Sequence, residues 1–204
     1  MIISEYKEPY YIVSFSPDEK DLKDRLQGWI NSITITDKRA KNYSSDEFNL
    51  DEQICLTYIL LDNNIIGFSS LFHRESHFGN SARCLNRMYY EKSSRKIIKL
   101  GRKYRPIVPT MVEQQFSFLD TNKYDMMFMS REIGYPRFMQ STASILNDHS
   151  DLVWKTNDKL YPVCNENRPY CWQNLVYAIV NNKKVELLSK GISKDEYGKK
   201  FEKN

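Results

Sequence analysis

The sequence predicts an α/β protein, more closely α+β, in which helices cover both faces of a mixed central sheet. Three observations predict this class. Short β-branched and aromatic runs alternate with segments of helical hydrophobic spacing, one pair of runs is separated by only two turn residues, and one run is apolar throughout. With 204 residues, 41% of them hydrophobic, the chain is long enough for one domain with a sizeable core.

The first elements are a strand and a helix. The run YYIVSF, residues 10–15, is rich in β-branched and aromatic side chains and predicts the first strand. Ser16 and Pro17 suit the N-cap and first position of a helix, and Glu19 completes a capping box. We expect this helix to end near Asn31. Its buried face has four large apolar side chains: Leu22, Leu26, Trp29 and Ile30.

A hairpin follows a long polar connection that has room for a short second helix. ICLTYILLD and IIGFSSLFHRE are separated by Asn63 and Asn64, a pair that tolerates the positive φ of a tight turn. ARCLNRMYYE, after Gly79 and Asn80, predicts a further strand. The second, third and fourth predicted strands therefore form an antiparallel meander.

The second half of the chain alternates helices and strands. TMVEQQFSFL predicts a helix, YDMMFMS a strand buried on both faces, and PRFMQSTASIL a further helix. DLVWKT, KLYPV and WQNLVYAIV supply the last strands. Residues 181–204 carry seven lysines against four acids, and we expect them to form a frayed basic tail after a domain of residues 1–180.

The positive charge of the chain is concentrated in one stretch, KSSRKIIKLGRKYR, residues 92–105. It contains seven basic side chains and no acid, and removing these seven charges from the net charge of +4 leaves −3. Tyr89, Tyr90 and Tyr104 lie in or beside this basic stretch and suit stacking on a base. The pattern indicates either an anionic ligand or a solvated basic surface.

Several other classes of protein find little support in the sequence. There is no apolar run long enough for a membrane span and no signal-peptide pattern, so we expect a cytoplasmic protein. The composition, poor in alanine and rich in Asn, Lys, Ile and Tyr, is typical of AT-rich genes such as those of phages or low-GC microbes. Nucleophile-elbow, Walker and dinucleotide motifs are absent.

We predict no metal site. The four cysteines are widely spaced and are interpreted mainly as reduced core residues: Cys55, Cys84, Cys164 and Cys171. A site that combines Cys164 and Cys171 with His149 is the weaker alternative. His73 and His77 in HRESH are four residues apart, but the hairpin places the first in a strand and the second in a loop.

The order of elements resembles that of the GCN5-related N-acetyltransferase (GNAT) superfamily. NNIIGFSSLF is similar to the third-strand phrase of that family, and ARCLNRMYYEKSSR is similar to its fourth strand and exit. DMMFMSRE followed by PRFMQSTASIL resembles the fifth strand and last core helix, most closely in small phage-borne members. The resemblance spans residues 10–180.

The resemblance implies acetyl-CoA as cofactor, with its thioester between splayed fourth and fifth strands. In the family a glycine-rich loop holds the pyrophosphate, but here the basic stretch stands in its place with a single glycine, Gly101. One glycine cannot provide the same close backbone approach. Three interpretations of the basic stretch stay open: a rebuilt pyrophosphate site, a track for nucleic-acid phosphates, or a solvated hairpin.

The resemblance also implies roles for individual residues. Glu132 and Glu75 are the candidate general bases, and Tyr135 is the candidate acid for the departing thiolate. Glu132 as a helix-dipole acid, Tyr135 as a packing residue and Ser130 as a cap are the structural alternatives. The candidate cofactor-binding residues are Arg87, Met88, Tyr89, Tyr90, Arg102, Lys103, Arg105 and Ser130.

Two functions follow from these residues. The first is acyl transfer from CoA to an amine acceptor. The second is that of a protein similar to the Mom DNA-modification proteins of phages, which would modify or bind DNA through the basic stretch. A non-enzymatic accessory protein that uses the fold only for binding is a third interpretation.

Overall fold

The structure, a computed structural model, describes residues 1–6, 10–36, 49–74, 81–84, 107–132, 136–162, 172–181 and 185–201. These segments contain nine strands and five helices. The strands are β1 (Ile2–Tyr6), β2 (Tyr10–Phe15), β3 (Gln53–Leu61), β4 (Asn64–Arg74), β5 (Ser81–Cys84), β6 (Met126–Glu132), β7 (Trp154–Thr156), β8 (Tyr161–Pro162) and β9 (Trp172–Ile179). The helices are α1 (Lys20–Thr36), α2 (Ile107–Phe116), α3 (Pro136–Asn147), α4 (Glu186–Ser189) and α5 (Lys194–Phe201). Among these helices, none has the length and apolar character needed to cross a bilayer.

The chain groups into two compact units. The first contains the described residues of Met1–Phe72 together with residues 107–119, and the second contains His73, β5 and the described residues from Asp120 onward. The α/β class with a mixed sheet is confirmed. The predicted domain boundary at residue 180 stays a prediction.

In the first unit, strands β1 to β4 follow one another in an antiparallel sheet. Side chains alternate along β2, so Val13 and Phe15 pack with Leu26 and Ile30 of α1. Ile12, on the opposite face, packs with Ile107 and Met111 of α2. Helices therefore cover both faces, as the sequence predicted.

The first helix begins and ends later than predicted. Instead of capping α1, Ser16 accepts a hydrogen bond from the Asp18 amide at 3.3 Å, and its carbonyl accepts one from Glu19. Pro17 and Asp18 therefore form a turn before the helix starts at Lys20. The predicted buried face is confirmed, since Leu26 and Ile30 are buried and Leu22 and Trp29 pack against the same cluster.

The hairpin is confirmed, with its turn one residue earlier than expected. Asp62 and Asn63 have φ values of 49° and 61°, and Leu61 pairs with Asn64 to close the turn. Two successive positive φ values are the signature of a type I′ turn, which matches the twist of the flanking strands. The predicted pair, Asn63 and Asn64, was therefore wrong by one position.

Strand β1 was not predicted. It pairs with β2 in antiparallel register, with Ile3 opposite Val13 and Glu5 opposite Tyr11. Its sequence, IISEY, is too short and too polar to stand out before a proline. It becomes a strand because β2 offers a free edge.

In the second unit the sheet is mixed. Strands β5 and β6 are parallel, whereas β6 and β7 each pair with β9 in antiparallel register, and β8 pairs with β9 as well. Residues 126–129 are buried, which confirms the prediction of a strand covered on both faces. Helix α3 begins at Pro136, and its side chains Met139, Ala143 and Leu146 are buried.

The expectation of a frayed C-terminal tail was wrong. Leu187 of α4 is fully buried, and Val185 and Leu187 belong to one apolar cluster with Tyr161. Leu160 and Ile192 exchange two backbone hydrogen bonds of 2.8 and 2.9 Å. The lysine-rich composition hid two apolar anchors, which are enough to fix the segment.

Gly191 is a sensitive point of this C-terminal contact. A Cβ added there would lie 2.5 Å from Cε1 of Tyr161, whose ring is buried and whose hydroxyl accepts a 2.8 Å bond from Asn157. We expect Gly191→Ala to lower the free energy of unfolding by about 1–3 kcal/mol. Gly28→Ala is the control, because nothing lies within 4 Å and alanine favours the helix by up to about 1 kcal/mol. Denaturant titration measures both, and equal stability of Gly191→Ala and the wild type would contradict the packing.

Candidate functional site

The candidate site lies at the carboxyl end of β6. Residues 81–83 of β5 pair in parallel with residues 126–128 of β6, and β6 continues for four further residues to Glu132. Carboxyl ends of neighbouring parallel strands meet at one edge of a sheet, which is where open α/β sheets bind ligands. This edge is therefore the first place to look for polar side chains.

Two predicted site residues lie at this edge. Ser130 is 3% exposed and pairs with Leu175 of β9. Glu132 is the last residue of β6 and pairs with Gln173. Because Glu132 is part of the strand, four residues before α3 starts, its backbone does not belong to the first turn of that helix.

The remaining predicted site residues lie outside the described part of the chain. The separation of the predicted fourth and fifth strands near Tyr89 falls there too, as does the basic stretch. The residues concerned are Glu75, Arg87, Met88, Tyr89, Tyr90, Arg102, Lys103, Arg105 and Tyr135.

Asn174 is a polar residue of this edge that the sequence did not single out. It pairs with Arg131 of β6, and its side chain is 1% exposed. Its Nδ2 donates to the carbonyl of Lys159 at 3.1 Å, which fixes the amide orientation because a carbonyl can only accept. Its Oδ1 is buried and, among the residues that the structure describes, has no hydrogen-bond partner. In the sequence, the only sign of this residue was that Asn174 is polar within the mostly apolar run WQNLVYAIV.

Asn174 lies where the partner strand of β9 is interrupted. β7 pairs with residues 176–178 of β9, and β8 pairs with residues 172–173. Residues between the two strands cannot continue the ladder, so the side chain of Asn174 ties the intervening loop through Lys159. The buried amide thereby joins β9 to the segment between β7 and β8.

Burial is the main cause of a raised pKa for several tyrosine side chains and one cysteine. Burial, and secondarily the neighbouring Tyr161, raises the pKa of Tyr177, which keeps that phenol neutral. In the first unit, burial raises the pKa of the Cys55 thiol to about 12. Cys55 is thus a core residue, as predicted, and is not a nucleophile at neutral pH. The described residues contain no group of three His, Cys, Asp or Glu side chains suited to a metal.

Comparison with known proteins gives matches in structure only. No family model matches the sequence, and no curated protein sequence matches it. Solved structures that are similar to this chain include two acetyltransferases of the GNAT family. One from Streptococcus pneumoniae has a TM-score of 0.44 at 8% identity and covers 84% of this chain and 99% of its own. One from Staphylococcus aureus has a TM-score of 0.43 at 15% identity, with coverage of 84% and 99%.

A third similar structure is a ribosomal-protein-S5-alanine acetyltransferase from Vibrio fischeri. Its TM-score is 0.45 at 10% identity, and the match covers 90% of this chain and 100% of that one.

The orientation of Asn174 predicts a pH-dependent variant. Asn174→Asp would place a carboxylate against the Lys159 carbonyl, so burial would raise its pKa above the unfolded value. The folded state then binds more protons than the unfolded state, and the deficit in stability grows as pH rises. We expect a loss of about 3 kcal/mol at pH 7.5 that shrinks at pH 5, where a protonated carboxyl donates to the carbonyl.

Denaturant titrations at both pH values, each against wild type, measure this effect. Asn31→Asp is the matched control, because Asn31 is exposed and an aspartate there still accepts from Gln27. A deficit of Asn174→Asp that does not change with pH would contradict the assigned amide orientation.

Proposed function

We propose that this protein is an acyltransferase that moves an acyl group, acetyl in the simplest case, from CoA to an amine. The observation that supports it best is the parallel pair of β5 and β6, with a buried Ser130 and the strand-end Glu132 at its carboxyl end. The order of elements, which resembles that of GNAT enzymes, agrees with it. The cytoplasmic location expected from the sequence is part of the proposal.

The residues of the chain fit the chemistry that this reaction needs. The acceptor nitrogen must lose a proton before it attacks the thioester carbonyl, and Glu132 or Glu75 supplies the base. The carbon–sulfur bond then breaks, and Tyr135 donates a proton to the departing thiolate. Ser130 contributes a hydroxyl at the strand end, where a hydrogen bond orients the acyl group.

The phosphates of CoA require cationic or amide donors. Because the basic stretch has only Gly101, its backbone is not suited to a close cradle, so we assign this role to side chains. Arg102, Lys103 and Arg105 are the proposed phosphate ligands.

Titration calorimetry with acetyl-CoA, followed by thiol release in the presence of a panel of amines, tests this function. We expect Ser130→Ala to weaken acetyl-CoA binding by about threefold to tenfold, the loss of one hydrogen bond. Ser144→Ala, on the exposed side of α3, is the control and should bind like wild type. Failure of the wild-type protein to bind acetyl-CoA would refute the proposal.

A second function is favoured by the charge pattern. Seven basic residues without an acid, next to Tyr89, Tyr90 and Tyr104, are typical of a track that binds nucleic-acid phosphates and stacks on bases. This observation supports a role similar to that of the Mom proteins, in which the protein modifies or binds DNA.

Counterion release separates this second function from the first. If six or seven of the cations meet phosphates, affinity for duplex DNA should fall by about a thousandfold between 50 and 200 mM salt. Fluorescence anisotropy measures it. The variant with Arg102, Lys103 and Arg105 replaced by alanine should then show a shallower dependence on salt.

The matched control for that variant removes three charges elsewhere. Lys194, Lys199 and Lys200 lie in α5, so their replacement by alanine changes the net charge equally. If DNA binds the basic stretch, this control keeps the wild-type salt dependence. A flat response of the wild-type protein would eliminate DNA as the partner.

A further inference from the structure

Helix α2 is held against strands β2, β3 and β4 by two different kinds of contact. Near its start, Ile107 and Met111 pack on an apolar cluster that contains Ile12 and Ile59. Near its end, Gln114 and Gln115 are only 5% and 0% exposed. They contact a row of hydroxyl side chains, and we call this set the polar layer: Ser14, Thr57, Ser69, Gln114 and Gln115.

The three hydroxyl residues lie directly opposite one another across three strands. Ser14 of β2 pairs with Thr57 of β3, and Thr57 pairs with Ser69 of β4. All three are buried. A continuous polar row across a buried sheet face is expensive to desolvate unless its members bond one another.

The direction of every hydrogen bond in the chain from Gln114 to Gln115 can be assigned. Gln114 Nε2 donates to the carbonyl oxygen of Ile12 at 3.3 Å, so its Oε1 must accept the 2.7 Å bond from Ser14. Ser14 has then used its only proton, and Thr57 must donate in the 2.8 Å bond between the two hydroxyls. Thr57 can therefore only accept from Gln115, which fixes Nε2 of that amide at 3.2 Å.

This chain joins α2 to three strands with directional contacts. Gln115 Nε2 also donates to Ser69 Oγ at 3.1 Å, so β2, β3 and β4 are all included. An α-helix turns by about 100° per residue, and a shift of one position would leave only one glutamine facing the row, with Glu113 or Phe116 in the other place. Apolar contacts alone are not directional and tolerate such a slip.

Stability does not explain the polar layer. Gln115 Oε1 is buried and has no hydrogen-bond partner in the part of the chain that the structure describes. Apolar residues of similar shape at the same positions would leave no polar atom unpaired and are often equally or more stable. Because stability alone does not require the polar layer, its presence indicates a role in fixing one arrangement of α2 on the strands.

We infer that the polar layer is a positioning device that holds α2 at one register and one rotation on the sheet. Helix α2 begins at Ile107, two residues after Arg105, so its placement fixes the point from which the basic stretch extends. This inference rests on the proposed function, in which that stretch binds the phosphates of CoA. Gln114, Gln115, Thr57 and Ser14 are positioning residues and do not touch the substrate.

The test replaces four of the five members of the polar layer by apolar residues of similar shape and keeps Ser69. The variant carries Ser14→Ala, Thr57→Val, Gln114→Met and Gln115→Met. We expect its melting temperature to stay within a few degrees of wild type or to rise, while acetyl-CoA affinity falls at least tenfold. Amide hydrogen exchange in residues 107–116 should become at least tenfold faster.

A control separates positioning from stability. Ile59→Val shortens a side chain of the apolar cluster under α2 and leaves the polar layer intact. It should lower the melting temperature and leave acetyl-CoA affinity unchanged. A merely structural role would not give opposite effects on melting temperature and acetyl-CoA affinity in the two variants.

Each other outcome is decisive. If the quadruple variant does not fold, Thr57→Val alone removes the central member of the hydrogen-bond chain. This single substitution should weaken acetyl-CoA binding about threefold. Wild-type affinity and wild-type exchange in the variant that folds would overturn the inference. If wild type binds no acetyl-CoA, the proposed function fails, and hydrogen exchange of α2 alone decides whether the layer positions the helix.

Discussion

The parallel pairing of β5 with β6 determines where the candidate site lies. Antiparallel neighbours such as β3 and β4 need only a two-residue turn, whereas parallel neighbours need a long connection. In this chain the connection from Cys84 to Met126 contains both the basic stretch and α2. The pairing places the carboxyl ends of two strands at one edge, and Ser130 and Glu132 lie at that edge.

Apolar and polar contacts have separate roles in the first unit. On one face, Phe15, Tyr58 and Phe68 pack with α1, and ring pairs such as Phe15 and Tyr58 lie 5.4 Å apart. Burial of such side chains supplies about 2 kcal/mol each and does not depend on exact register. On the other face, the polar layer adds direction to the apolar packing of α2. One face of these strands therefore contributes mainly hydrophobic burial, and the other also fixes the position of α2.

The sequence was sufficient to predict the elements whose hydrophobic pattern directly reflects their burial. β2, β3, β4 and β6 were predicted because β-branched runs and apolar continuity reflect burial directly. The helix start at Lys20 was missed because the Ser16 carbonyl is satisfied locally by a turn, a competition that no periodicity reveals. The C-terminal helices were missed because two buried side chains outweigh a lysine-rich composition.

The candidate site was predictable only in part, for a related reason. Ser130 and Glu132 stand out because they directly follow an apolar strand. Asn174 interrupts a mostly apolar run, and from sequence alone it looks like a break in the pattern rather than a buried partner. The partners of Asn174 and Gln115, which are the Lys159 carbonyl and Thr57, are brought close only by the fold.

The most direct test of the central claim is hydrogen exchange of the full chain with and without saturating acetyl-CoA, resolved by peptide. We expect exchange to slow in residues 126–132 and in residues 173–175, which pair with the last three residues of β6, because the proposed site for the acyl end of the ligand lies where β6 ends. Binding of acetyl-CoA that leaves both segments unchanged, or no binding, would contradict the assignment of this strand end as the active site.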